Sequence, residues 1–221
     1  MSLGQPKRLR RLALQGMMLA FLAACSQTGG GVLAGMSRSK APTTARIANG
    51  RVTVAGPQGF CVQKSTRVSR GGGGFIALGQ CASISGNPQD TTVANPALLS
   101  VSATPISDRA AASPAALQRY FSEGNGQGGV KSAELEGGVL FVRARDTSAR
   151  RPNDLSNSYW RAMYSSNGYL ISLTVSSLAD SPITEATGRR LLADFVKAMQ
   201  AANGQRENTG KGVLSVFNRL L

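Results

Sequence analysis

Between residues 47 and 203 the chain switches between two hydrophobic periods. Arg51–Ala55 alternates apolar with polar positions, and a period of two predicts a strand. Gly56-Pro57-Gln58-Gly59 is a turn signal, followed by the short apolar element Phe60-Cys61-Val62. Lys64 to Gly74 is polar and ends in four glycines, which predicts a loop or hairpin connection. Phe75–Cys81 and Pro96–Thr104 read as the next strands, with Ser85–Asn95 as loop between them. The period then lengthens. Ser113 can cap a helix that starts at Pro114, and Leu117, Tyr120 and Phe121 fall at i, i+3 and i+4. Gly124 to Gly129 ends it. Two hairpins follow: Val130–Glu136 with Val139–Arg145 across Gly137-Gly138, and Tyr159–Ser165 with Tyr169–Ser176 across Asn167-Gly168. A closing helix is predicted over Pro182–Ala202, capped by Ser181 and stopped by Asn203-Gly204. Leu191, Leu192, Phe195, Val196 and Met199 share one of its faces. The fold class is therefore α+β: one domain over 47–203, an antiparallel sheet of about six to seven strands with two main helices. After it, 204–221 reads as a polar linker and a short amphipathic helix through Val213, Leu214, Val216, Phe217, Leu220 and Leu221. A helix of about ten residues is marginal alone, so it needs its own domain, a membrane or a protein partner to dock on.

The first residues follow another rule. Lys7, Arg8, Arg10 and Arg11 precede an apolar run from Leu12 to Ala24, 13 residues interrupted only by Gln15 and Gly16. That is the layout of a secretory signal, and the run is shorter than the ~20 residues a membrane span needs. Leu22-Ala23-Ala24-Cys25 resembles the lipobox of bacterial lipoproteins residue for residue. The resemblance implies cleavage before Cys25, lipid on its sulfur and acyl chains such as palmitate as the membrane anchor. It also implies a periplasmic-side address, and Ser26 after the cysteine favours the outer over the inner membrane. The alternative is an ordinary signal peptide cut after a small-x-small site. Residues 1–24 are thus read as signal peptide. Residues 25–46, rich in Gly, Ser, Thr and Ala, are read as the lipidated cysteine and a flexible tether.

Removing residues 1–24 takes four basic residues and no acid, so the formal charge falls from +14 to +10. A basic exported chain points to anionic lipid headgroups or cell-wall polymers as partners, and its address disfavours nucleic acid. With Cys25 committed to lipid, Cys61 and Cys81 remain. In an oxidising compartment they are expected to form a disulfide; two reduced structural cysteines are the alternative.

The order of elements over roughly 50–202 resembles the PsbP-like fold, which includes small secreted and lipid-anchored bacterial proteins. Val54 to Cys61, the cysteine 20 residues later and Tyr159-Trp160-Arg161 are also similar to a group of exported alphaproteobacterial proteins. That second resemblance implies an exported location and no particular chemistry.

No histidine is present, which removes His-dependent triads, His-ligated zinc and the commonest general base. No cofactor, metal site or catalytic residue is expected. Gly124, Gly126 and Gly129 match G-x-G-x-x-G, but they follow a helix where a dinucleotide site needs strand then helix. Glu134 and Glu136 share one face of a strand and read as solvated. The remaining chemical feature is basic. Arg143 and Arg145 share a strand face, Arg150 and Arg151 follow in a loop, and Arg161 begins the next hairpin. Gathered on one side of the sheet they would dock phosphate or carboxylate groups; dispersed, they are a solvated face. The functional expectation is a lipid-anchored, non-enzymatic binding or envelope-maintenance protein. The alternatives are an accessory subunit docking through its C-terminal helix, and a histidine-free hydrolase with a serine beside a lysine or acid in a pocket.

Overall fold

The computed structural model describes residues 39–110, 112–123, 129–146 and 152–204. The leader, Cys25, Arg150, Arg151 and the expected C-terminal helix lie outside the described residues. The chain forms β1 (Thr44–Ile47), β2 (Val52–Ala55), β3 (Phe60–Arg70), β4 (Gly73–Gln80) and the short α1 (Cys81–Ser85). It continues with β5 (Ala97–Pro105), α2 (Pro114–Ser122), β6 (Gly129–Glu136), β7 (Val139–Arg145), β8 (Leu155–Ser166), β9 (Tyr169–Leu178) and α3 (Glu185–Ala202). The expected α+β class is what forms: a seven-stranded antiparallel sheet in the order β3-β4-β5-β9-β8-β7-β6, with β1 and β2 as a separate two-stranded pair.

Strand β9 shows why the pattern specifies a sheet. Its residues alternate buried and half-buried along the whole strand, so one face carries Tyr169, Ile171, Leu173 and Val175 into the core. Its hairpin partner β8 is joined through Asn167-Gly168, with φ of 51° and 79°, the pair of positive angles a type I′ turn needs. After β5 the chain crosses to the far edge, lays down β6, and returns through β7 and β8 until β9 closes against β5.

Helix α3 covers the core face. Leu192, Phe195 and Met199 have no exposed surface and pack with Ile76, Leu99, Leu173 and Val54. Each such side chain contributes roughly 1.5–3 kcal/mol by burial. On the opposite face α2 covers only the β6–β8 end, where Leu117 and Phe121 meet Leu140, Val142 and Met163.

Several boundaries differ from those read in the sequence, each for a local reason. Domain packing begins before Ile47, because Ala41 is buried against the cysteine pair and the Pro42 carbonyl accepts from the Val62 amide at 2.7 Å. Lys64–Gly74 is mostly strand, with only Gly71 and Gly72 turning the hairpin. Gly73 and Gly74 belong to β4 because other backbone lies against them: a Cβ at Gly73 would meet the Ala103 carbonyl at 2.6 Å. α3 starts at Glu185 and not at Pro182, since the Thr184 hydroxyl, not that of Ser181, accepts from the Thr187 amide at 3.2 Å. The Ser113–Pro114 start of α2 stands as expected.

The C-terminus of α3 is tied down by one side chain. Asn203 accepts from the Thr53 amide at 3.0 Å and donates to the carbonyls of Thr53 at 2.8 Å and Met199 at 2.7 Å. Asn203→Ala strips three backbone groups of their partner, and the expected cost is about 2 kcal/mol. Chemical denaturation measures it; an unchanged midpoint shows that water replaces all three bonds.

Candidate functional site

The cleft with the most chemistry lies where the first half of α3 crosses the β6–β7–β8 end of the sheet. Period two on β7 sends Phe141 and Arg143 toward α3. Register carries their neighbours to the same side: Ser132 and Glu134 of β6 stand opposite Arg143 and Phe141, and Trp160 of β8 stands opposite Arg143. From above, Glu185, Arg189 and Leu192 face down at i, i+4 and i+7 of the helix. These residues enclose a cavity of about 370 Å³.

Its floor is apolar. Trp160 is only 4% exposed, and Phe141 and Leu192 are buried beside it. Gly188 lets the indole lie directly under α3: a Cβ there would meet ring atoms of Trp160 at 2.4 to 2.6 Å. The indole Nε1 is buried and has no hydrogen-bond partner among the described residues. Burying a donor unpaired costs free energy, so this atom is a point of unmet chemistry.

The rim is ionic. Arg143 pairs with Glu185, and Arg189 pairs with Glu136 at 2.6 Å while its guanidinium lies 3.6 Å from the centre of the Phe141 ring. Both arginines are about one-third exposed and their partners more so, and pairs of that kind contribute at most about 1 kcal/mol each. They fix where α3 sits on the strands more than how tightly the domain folds. Deeper along β8, burial pushes the Tyr164 phenol above its ordinary value, so it stays protonated and is no base at neutral pH.

Of the expected arginine cluster, the three described members do not gather on one face. Arg143 and Arg145 do share the α3 side. Arg161 pairs in register with Val142, which packs under α2, so Arg161 lies on the opposite side of the sheet. There it sits 5.2 Å from the Tyr159 ring. A register offset of one residue between β7 and β8 decides this, and no spacing within either strand reveals it. Glu134 and Glu136 are both exposed, and the structure adds that Glu136 holds Arg189 while Glu134 lines the cleft. Trp160, Phe141, Glu185 and Arg189 entered the site unannounced. The one available signal was that Trp160 is the chain's single tryptophan.

Cys61 and Cys81 are bonded, with S–S at 2.04 Å, and join the start of β3 to the start of α1. A larger and more open depression, about 540 Å³, lies on another flank of α3 beside the Gly56–Phe60 turn, where Arg190, Asp194 and Lys197 line it. Among the described residues no helix is long and apolar enough to cross a membrane, and no three His, Cys, Asp or Glu side chains are placed to hold a metal.

Fold and cleft together define an α+β domain in which one long helix roofs an aromatic cavity at a sheet end. No protein-family model, curated protein or solved structure matches this chain.

Proposed function

We propose that the protein is a lipid-anchored bacterial envelope protein whose folded domain is a non-enzymatic binding module, with the α3–sheet cleft as its site. The anchor rests on Leu22-Ala23-Ala24-Cys25. The binding role rests on one observation: a cavity of about 370 Å³, within the range of small-molecule sites, floored by Phe141, Trp160 and Leu192. A hydrolase is the weaker reading. Ser132 lines the cleft near Glu134, yet among the described residues no hydrogen bond joins its hydroxyl to a carboxylate, and a serine nucleophile needs such a base.

The ligand is a small amphipathic molecule. Arg143 is paired with Glu185 and Arg189 with Glu136, and Glu134 lines the same cavity, so the cleft offers an anion no surplus positive charge. Two measurements test the reading. Mass spectrometry of the membrane-extracted chain should find acylated Cys25 as first residue; an unmodified Cys25 behind an intact leader removes the anchor. On neutral phosphatidylcholine vesicles, a short neutral amphiphile such as N-hexylacetamide should change Trp160 emission saturably. A strictly linear response, as in empty vesicles with free tryptophan, removes the cleft as a binding site.

A further inference from the structure

Acids are confined to the later part of the chain: none of the 11 Asp and Glu residues precedes Asp90. Between residues 39 and 89 the cations Lys40, Arg46, Arg51, Lys64, Arg67 and Arg70 are all exposed, and none is ion-paired among the described residues. The fold puts this charge at one edge of the sheet. β3 is the outermost strand, and β1 with the turn after it packs on β3 and β4, so that a Cβ at Gly74 would meet the Ala48 amide nitrogen at 2.8 Å. Midway along β3 the pairing is interrupted. Gln63 stands opposite Ala77 and Val68 opposite Phe75, so the four residues from Lys64 to Arg67 face Ile76 alone. Thr66 fixes this bulge: its hydroxyl donates to the Gln63 carbonyl at 2.7 Å and accepts from the Ala77 amide at 2.8 Å. Beside it Val68 and Phe75 form an apolar cross-strand pair that is 51% and 39% exposed.

We propose that the β3 edge is a docking surface for an anionic lipid bilayer, with Lys64, Arg67 and Arg70 among the headgroups and Val68 and Phe75 at the interface. This surface is separate from the cleft and does not depend on it. Cations beside exposed apolar side chains, with no acid near them in sequence, suit a partner that is charged at its surface and apolar beneath. A protein strand suits the edge less well, because the bulge breaks the straight row of amides that edge pairing needs. Headgroups need no register. The route of the chain fits as well: Ala41 packs with Cys61 at the start of β3, so the chain enters the domain at this edge. With the β3 edge on the bilayer, six strand spacings, on the order of 25 Å, separate it from β6. The cleft at the β6–β8 end then stays clear of the lipid.

The test holds the full-length acylated protein on vesicles that carry dibrominated lipid, which quenches any tryptophan reaching the acyl region. Val68→Trp supplies the reporter, and the parent is the control because its Trp160 is only 4% exposed. With phosphatidylglycerol in the vesicles, the reporter is expected to be quenched about twofold more than on phosphatidylcholine alone. Each cation at an anionic surface contributes about fivefold in partitioning, so Lys64→Glu/Arg67→Glu/Arg70→Glu should weaken docking by at least about 100-fold and abolish the difference. All three side chains are exposed, so that variant should melt with the parent. Equal quenching on the two lipids, or a difference that survives the triple substitution, overturns the proposal. Capture by soluble polyglutamate without quenching on anionic vesicles also overturns it and assigns the edge to acidic polymers. Flotation with phosphatidylcholine vesicles reports the lipid anchor separately, so a missing anchor and a failed docking surface give different results.

Discussion

Gly188→Leu is expected to destabilise the domain by about 2 kcal/mol, although leucine is the better helix former. Exchanging glycine for leucine within a helix gains roughly 1 kcal/mol of intrinsic propensity. Against this stands the indole of Trp160, whose Cε2, Cδ2 and Cζ2 lie 2.4, 2.5 and 2.6 Å from any Cβ at position 188. A rigid bicycle that is 4% exposed has nowhere to turn, so α3 must lift or β8 must bend. Overpacking of this kind costs typically 1–3 kcal/mol and occasionally more, which outweighs the propensity gain. A double-mutant cycle isolates the cause. In a Trp160→Leu background the clash is gone, and Gly188→Leu should become neutral or mildly stabilising. Denaturant midpoints of the four variants give the coupling. An additive cycle, or a single mutant as stable as the parent, refutes the close-packing account. Because Trp160 also floors the cleft, Gly188→Leu should abolish amphiphile binding even where the domain remains folded.

Reducing the Cys61–Cys81 bond is expected to cost about 3 kcal/mol, from a sequence separation of 20 residues in the chain-entropy description. For a domain of this size that lowers Tm by about 10 °C. The bond holds the β3–β4 hairpin closed at its base, where Ala41 and Ile84 pack with the two cysteines. Comparing Tm of one sample with and without dithiothreitol changes no side-chain volume, so the whole shift reports the cross-link. The Cys61→Ala/Cys81→Ala protein should melt at least as low and ignore the reductant. Equal melting in both conditions for the parent means the bridge is not formed.

Legibility followed the range of the interaction. Turn chemistry was readable wherever two adjacent residues suffice, as at Gly137-Gly138 and Asn167-Gly168. The apolar stripe of α3 was readable because period 3.6 over 18 residues is a strong local signal. Its start was misplaced by three residues because Ser181-Pro182 and Thr184-Glu185 both satisfy helix-start chemistry, and only the fold shows which hydroxyl reaches an amide. The role of Gly73 and Gly74 was hidden for another reason. Glycine marks a turn and a close backbone contact alike, and the contacting atoms at Ala103 and Ala48 are far away in sequence.

The candidate site was the least legible part. Arg143 was singled out for its charge, but its partner Glu185 lies on α3, 42 residues further along the chain. Arg161, expected on the same face, instead lies on the α2 side, because β7–β8 register sets it against Val142.

By its own order of residues the chain determined the hairpins at Gly137-Gly138 and Asn167-Gly168 and the apolar stripe of α3, since each depends on neighbours within a turn or a helix repeat; the cysteine pair and an acylated Cys25 were expectations from residue type and compartment. Tertiary structure alone decided which charges meet, which face each arginine takes and that a single tryptophan lies under a glycine of α3. Those outcomes depend on strand register and on where a helix crosses a sheet, quantities that sum many weak contacts and leave no mark on any short stretch of sequence.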